Sequence, residues 1–138
     1  MDLLGLFFWS FLAATILPLG SEPALAVIVS RRDAVLLPVV IATIGNYLGA
    51  CTTYAIARSA SKAVTSERAV RRLERAAAII QRYGAPALLL SWVPLLGDAI
   101  VAAAGLARMP FLRFSLWTVP GKAARYAALA LVIHWGIQ

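Results

Sequence analysis

Apolar residues run almost unbroken along most of the chain, at 3–19, 23–30, 34–57, 85–107 and 114–135. Two of these runs, 34–57 and 114–135, are long enough to cross a bilayer. About 30 Å of hydrocarbon at about 1.5 Å per helical residue requires about 20 residues. The other runs are interrupted. Residues 3–17 are stopped by Pro18-Leu19-Gly20-Ser21-Glu22-Pro23, and the run 24–30 beyond is too short to cross. Residues 85–93 are stopped by Pro94-Leu95-Leu96-Gly97-Asp98, and 99–107 is again short. The pattern predicts two re-entrant helical hairpins, with tips at Pro18 and Ser21 and at Pro94 and Gly97. Non-helical backbone is tolerated at that depth where protein or a water-filled cavity covers it. Four ordinary spans kinked at the prolines satisfy the same run lengths and stand as the alternative.

A second pattern lies over the first. Residues 12–50 set against 88–126, an offset of 76, align Pro18 with Pro94, Leu19 with Leu95 and Glu22 with Asp98. The same offset pairs Arg32 with Arg108 and Gly45 with Gly121. Each unit would hold one hairpin that does not cross and one helix that does, so two units in series face opposite ways. That is the inverted-repeat plan of transporters, whose sites lie at broken helices near the midplane. The predicted fold is an all-α integral membrane protein, one domain over 1–138. Repeat 1 covers about 3–57 and repeat 2 about 84–135, joined by a cytoplasmic amphipathic helix in the basic linker 58–82.

Charge supports the membrane reading and orients it. The chain is 62% apolar and 14% charged, against about 25% charged in soluble domains. Arg58, Lys62, Arg68, Arg71, Arg72, Arg75 and Arg82 gather in the linker, which the positive-inside rule puts in the cytoplasm. Both termini then lie outside. Ser66 can cap a helix that ends at Gly84. Within it Val70, Leu73, Ala77 and Ile80 form an apolar stripe, with Arg68, Arg71, Arg72 and Arg75 opposite. Such a helix is expected on the inner leaflet, drawn to anionic headgroups rather than to nucleic acid. The amino terminus lacks the positive stretch of a signal peptide, so the first apolar run is read as part of the fold.

Catalytic chemistry has little material. One cysteine, Cys51, and one histidine, His134, allow no intrachain disulfide, no histidine-based zinc site and no histidine-dependent triad. The chain is expected to be no enzyme and to need no cofactor or metal. The sharper candidates are charges at membrane depth. A carboxylate there is costly unless paired, hydrated or protonated. Glu22 and Asp98 are therefore either functional groups or caps of the helices that follow them. Lys122 and Arg125 fall in the middle of 114–135, on one face, just after Pro120-Gly121. They form either a structural ion pair with Glu22 or Asp98 or a pair that also handles an anion or a proton. A carboxylate within salt-bridge reach of one of them is expected. Asn46 is the repeat equivalent of Lys122 and can line the same cavity as a neutral donor. Gly45-x-x-x-Gly49 permits close helix approach, within the chain or in a homodimer.

These residues resemble a known family. Phe8-Trp9-Ser10-Phe11-Leu12-Ala13-Ala14-Thr15-Ile16-Leu17-Pro18, followed by Ser21-Glu22, is similar to the opening of the YqaA-type branch of the DedA superfamily. That superfamily is also known as the SNARE-associated or VTT-domain membrane proteins. Tyr83-Gly84, Ser91-Trp92-Val93-Pro94, Gly97-Asp98, Ala104-Gly105 and Gly121-Lys122-x-x-Arg125-Tyr126 extend the resemblance over most of the chain. It implies two re-entrant hairpins in inverted repeats and a role in moving lipids between leaflets, or in proton-motive-force and envelope homeostasis. Typical members carry Arg-x-x-Pro-x-x-Arg in the second hairpin, where this chain has Ser91 and Gly97. They commonly hold two acids in the first hairpin, where this chain has Glu22. Lys122 and Arg125 would have to supply the positive charge.

The function expected from these features is a small transporter or lipid flippase in the bacterial inner membrane. It would move an anionic, phosphate-headed lipid around Glu22, Asp98, Lys122 and Arg125, with proton coupling through a carboxylate. The competing class is a non-transporting membrane factor whose basic helix recruits anionic lipid or a partner protein.

Overall fold

A computed structural model describes residues 2–15, 22–31, 35–59, 67–93 and 96–136. Among them the structure is wholly helical. The helices are α1 (Leu3–Thr15), α2 (Glu22–Val29), α3 (Leu36–Ser59), α4 (Glu67–Tyr83), a 3-10 helix (Ala85–Trp92), α5 (Leu96–Leu106) and α6 (Phe111–Gly136). The tip residues Pro18, Ser21 and Pro94, and the cap Ser66, lie outside the described residues.

Helix lengths follow the apolar runs. Helix α3, with 24 residues, is about 36 Å long. Among the described residues it is the helix both long and apolar enough to cross a membrane. Helix α6 is longer, at 26 residues, and runs on through Pro120; it carries Lys122 and Arg125 in its middle. Helices α1, α2 and α5 have 13, 8 and 11 residues, about 20, 12 and 17 Å, each short of a crossing. The remaining arm is helical but wound as 3-10 over 8 residues, with a proline in its first turn. Pro86 supplies no N–H there, and the preceding Gly84 has φ 70°, a conformation that favours glycine.

Two caps follow local chemistry. The Gly5 N–H donates to the Asp2 carboxylate at 2.7 Å, which caps α1. At the end of α5, Met109 N–H donates to the Ala104 carbonyl at 3.1 Å and Arg108 N–H to the Gly105 carbonyl at 3.0 Å. Those are the two bonds of a Schellman ending, with Arg108 at φ 55° where glycine is usual.

The apolar interior falls into two clusters. One joins Tyr54 of α3, Ala76 and Ile80 of α4, Leu88 of the 3-10 helix, Ile100 of α5 and Phe114 of α6. The other joins Leu6 of α1, Leu25 and Ile28 of α2, Ala42 of α3 and Tyr126 of α6. Helix α3 enters the second cluster with its first half and the first with its second half, while α6 does the reverse. The long helices are therefore antiparallel, with the second hairpin packed at one end and α2 at the other. Shifted by 76 residues, α2 falls within α5 and α3 within α6. Helix α1 packs on α3 and the 3-10 helix on α6. The other two short helices cross over, α5 packing on α3 and α2 on α6.

Gly45 and Gly121 mark the first of these contacts. A Cβ on Gly45 would meet the Phe7 carbonyl oxygen of α1, and one on Gly121 would lie 2.8 Å from the Leu89 carbonyl oxygen. Gly45 thus serves packing within the chain. The outer surface is apolar: Leu36 is 76% and Val132 71% exposed, which suits lipid as the solvent.

The basic linker helix ends at Tyr83, and Gly84 N–H donates to the Ile80 carbonyl at 2.7 Å. Its apolar stripe differs from expectation. Ala76 and Ile80 are buried against the second hairpin, and Val70 remains exposed. The short arms offer apolar faces that α3 and α6 do not cover, and α4 covers one of them.

Candidate functional site

Lys122 sits where the two apolar clusters meet. Phe114, two turns before it on α6, belongs to one cluster, and Tyr126, one turn after it, belongs to the other. On α3, Asn46 lies between Ala42 of the second cluster and Ala50 of the first. Lys122 is 2% exposed, so its ammonium must find partners inside the protein. Its Nζ donates to the Asn46 Oδ1 at 2.5 Å. The Asn46 Nδ2 donates in turn to the Ser10 carbonyl oxygen of α1 at 3.2 Å. One polar chain therefore ties α6 to α3 and α3 to the first arm of hairpin 1.

Asp98 stands in the first turn of α5, half-buried, where a helix N-terminus favours an acid. It attracts Lys122 electrostatically. Among the described residues, however, no ion pair within 4.0 Å joins the two. Lys122 is instead bonded to a neutral amide, with the Asp98 carboxylate acting at longer range, while the Glu22 side chain, the other carboxylate expected near Lys122 or Arg125, lies outside the described residues. The reason is positional: Asn46 faces Lys122 on the adjoining long helix, whereas Asp98 is carried on a separate short one.

Other predicted residues are placed as follows. Glu22 begins α2, and its side chain lies outside the described residues. Arg125, half-buried, sets its guanidinium 5.9 Å from the centroid of the Tyr126 ring. Gly97 is buried, and a Cβ there would strike the Ser91 carbonyl, so the two arms of hairpin 2 touch at this point. Arg68, Arg71, Arg72 and Arg75 are exposed along α4, with Arg71 3.9 Å from Glu67.

Several polar groups near these residues were not singled out by the sequence as buried or bonded groups. The hydroxyls of Ser10, Ser91 and Thr118 are buried without a hydrogen-bond partner among the described residues. Thr118 stands one helical turn before Lys122, and Ser91 opposite Gly97. Tyr47 and Ser115 share a 2.5 Å hydrogen bond between α3 and α6. The Tyr54 hydroxyl donates to the Met109 carbonyl, which also receives Arg58 Nη1 at 3.2 Å, and Tyr54 stacks on Phe114 at 4.4 Å. This clamp fixes the end of α3 to the corner between α5 and α6.

The chemistry of the site is that of a buried cation. An ammonium has three donors, and Asn46 takes one of them. An anion arriving from the membrane would find the cation buried in a low dielectric, where its attraction is strongest.

Comparison with known proteins bears on the whole chain. The VTT domain model matches residues 17–134. An uncharacterized protein of Haemophilus influenzae is 41% identical over 133 residues, 90% of this chain and 82% of its own length. The inner membrane protein YqaA of Escherichia coli is 39% identical over 139 residues, covering 100% of this chain and 95% of that one. The protein of the same name in Shigella flexneri matches to the same extent. No solved structure matches.

Proposed function

The chain belongs to the VTT-domain family, in its YqaA-type branch, and from that premise we propose that it is a small lipid transporter of the bacterial inner membrane. Its relatives in Escherichia coli and Shigella flexneri are named inner membrane proteins. The cargo is an anionic, phosphate-headed lipid. The observation that carries this reading is the Lys122 ammonium, buried between two apolar clusters and held by a neutral partner.

In this reading the two halves are inverted units, each a re-entrant hairpin plus one crossing helix. The exchange of arms between halves and the antiparallel long helices support it. Both termini are external and α4 is cytoplasmic. Lys122 and Asn46 form the fixed centre, and the hairpins alternate in opening around it. A phosphate oxygen takes the donors that Asn46 leaves, and Arg125 adds a second positive charge from the same helix face. Asp98 competes with the anion for Lys122. A proton taken up by Asp98 removes that competition and biases which hairpin opens. Glu22, its equivalent in the other half, has the same role on the other side. No bond is made or broken in the cargo.

The test is reconstitution with a fluorescent phosphate-headed lipid and a reductant that bleaches only the outer leaflet. The protein should carry bleaching beyond the outer-leaflet share, faster with a pH gradient than without. Asp98→Asn should abolish the effect of the gradient. Bleaching equal to that of empty vesicles would overturn the reading.

A further inference from the structure

Helix α4 divides its charge by flank. Arg68, Arg75 and Arg82 recur every seven residues, two helical turns, and so lie almost in line, with Arg71 beside them. Glu67, Glu74 and Gln81 recur at the same interval one position earlier, about 100° around the axis. All seven are exposed. The third flank is apolar and already occupied, since Ala76 and Ile80 are buried in the cluster that includes Leu88, Ile100 and Ala103. The helix is thus anchored to hairpin 2 by one side while its arginine side is open. Among the described residues Arg71 pairs with an exposed Glu67 at 3.9 Å, and such contacts are weak.

We infer that the arginine flank of α4 binds the anionic headgroups of the inner leaflet and that this contact sets the position of hairpin 2. The partner is a lipid surface, because four arginines in line along an exposed helix match a plane of negative charge. Glu67 and Glu74, on the adjoining flank, then face water. The contact is mainly electrostatic, since Ala76 and Ile80, the buried residues of the apolar flank, face the protein. The consequence follows from packing. Helix α4 touches both arms of hairpin 2, α5 and the 3-10 helix, and α5 in turn packs on α3 and carries Asp98. Holding α4 against the headgroups holds α5 against α3. Leaflet charge therefore regulates the hairpin that bears the Asp98 carboxylate, whether or not the protein transports lipid.

The test uses the full chain in nanodiscs of phosphatidylcholine alone or with phosphatidylglycerol. One readout is fluorescence of a label at Ala78, in an Ala78→Cys, Cys51→Ala background, quenched by spin-labelled lipid. The other is amide hydrogen exchange across Ile100–Ala104. Anionic lipid should increase the quenching and slow exchange in α5 severalfold, and high salt should reverse both, because screening shortens the reach of surface charge. Changing Arg68, Arg71, Arg75 and Arg82 to Gln should abolish both responses, and changing the same four to Lys should retain them. Glu67→Gln with Glu74→Gln should retain them too. Equal quenching in the two lipids, or quenching that changes while α5 exchange does not, would overturn the inference. So would a response that survives the four Gln substitutions. Neither readout depends on transport, so failure here is distinct from failure of the transporter reading.

Discussion

Asn46 and Lys122 stand at equivalent places in the two halves of the chain, 76 residues apart, and hydrogen-bond to each other in the interior. The pair also marks the boundary between the two apolar clusters. A buried ammonium at such a point is coupled to both halves, through α6 directly and through Asn46 and the Ser10 carbonyl to α1.

That coupling can be measured by a double-mutant cycle. Asn46→Leu leaves the Lys122 ammonium buried without its partner and should cost about 2–3 kcal/mol. Lys122→Met alone removes the charge and should cost less. The double variant should be more stable than Asn46→Leu, because the stranded charge is gone. Thermal unfolding in detergent reads all three, and additive losses would show that the two side chains do not act together.

Glycine contacts provide a test of the packing between each hairpin's first arm and its long helix. Gly45→Ala and Gly121→Ala each push a methyl group onto a backbone carbonyl and should cost about 1–3 kcal/mol. Gly136→Ala meets nothing within 4 Å and should leave the melting temperature unchanged.

Two backbone positions should respond with opposite signs. Arg108 holds φ 55° at the end of α5, so Arg108→Gly should stabilise the protein by about 1 kcal/mol. Gly84, at φ 70°, should lose about as much on change to Ala. Equal responses in sign would contradict the left-handed geometry of one of them.

Much of this structure was legible in the chain. The lengths of α3 and α6 follow from the two long apolar runs, and α4 stops at Tyr83, one residue before the Gly84 that its pattern marks as the end. The repeat offset makes Asn46 the equivalent of Lys122, though in the structure the amide accepts from the ammonium through its oxygen. What was not legible depends on contacts between distant segments. The 3-10 winding of Ala85–Trp92 looks in sequence like any short apolar arm. Lys122 bonds to the Asn46 amide rather than to Asp98 because of how α5 is placed, which charge counting does not reveal. Ser10 contributes a main-chain carbonyl, a group that every residue has. The Tyr54–Met109 clamp joins residues 55 apart with nothing in either neighbourhood to announce it. The apolar stripe of α4 was readable, but not that hairpin 2 would cover it.

Orientation has its own check. Single cysteines at Asp2, Glu67 and Gly136, in a Cys51→Ala background, report which side each exposed position faces. Asp2 and Gly136 should label from outside the cell and Glu67 only from the cytoplasm. If Asp2 and Glu67 report one side, the first hairpin crosses the membrane and the inverted arrangement fails.

The central claim is that the buried Lys122 ammonium carries the anionic headgroup. Its most direct measurement is the rate of fluorescent phosphate-headed lipid transfer by Lys122→Gln in proteoliposomes, compared with the parent chain and with Arg113→Gln at the exposed start of α6. Folding of each is verified by the melting temperature. Lys122→Gln should remain folded, since Gln can still bond to Asn46, and should lose transfer to the level of empty vesicles, while Arg113→Gln keeps it. Transfer by folded Lys122→Gln at the parent rate would contradict the account.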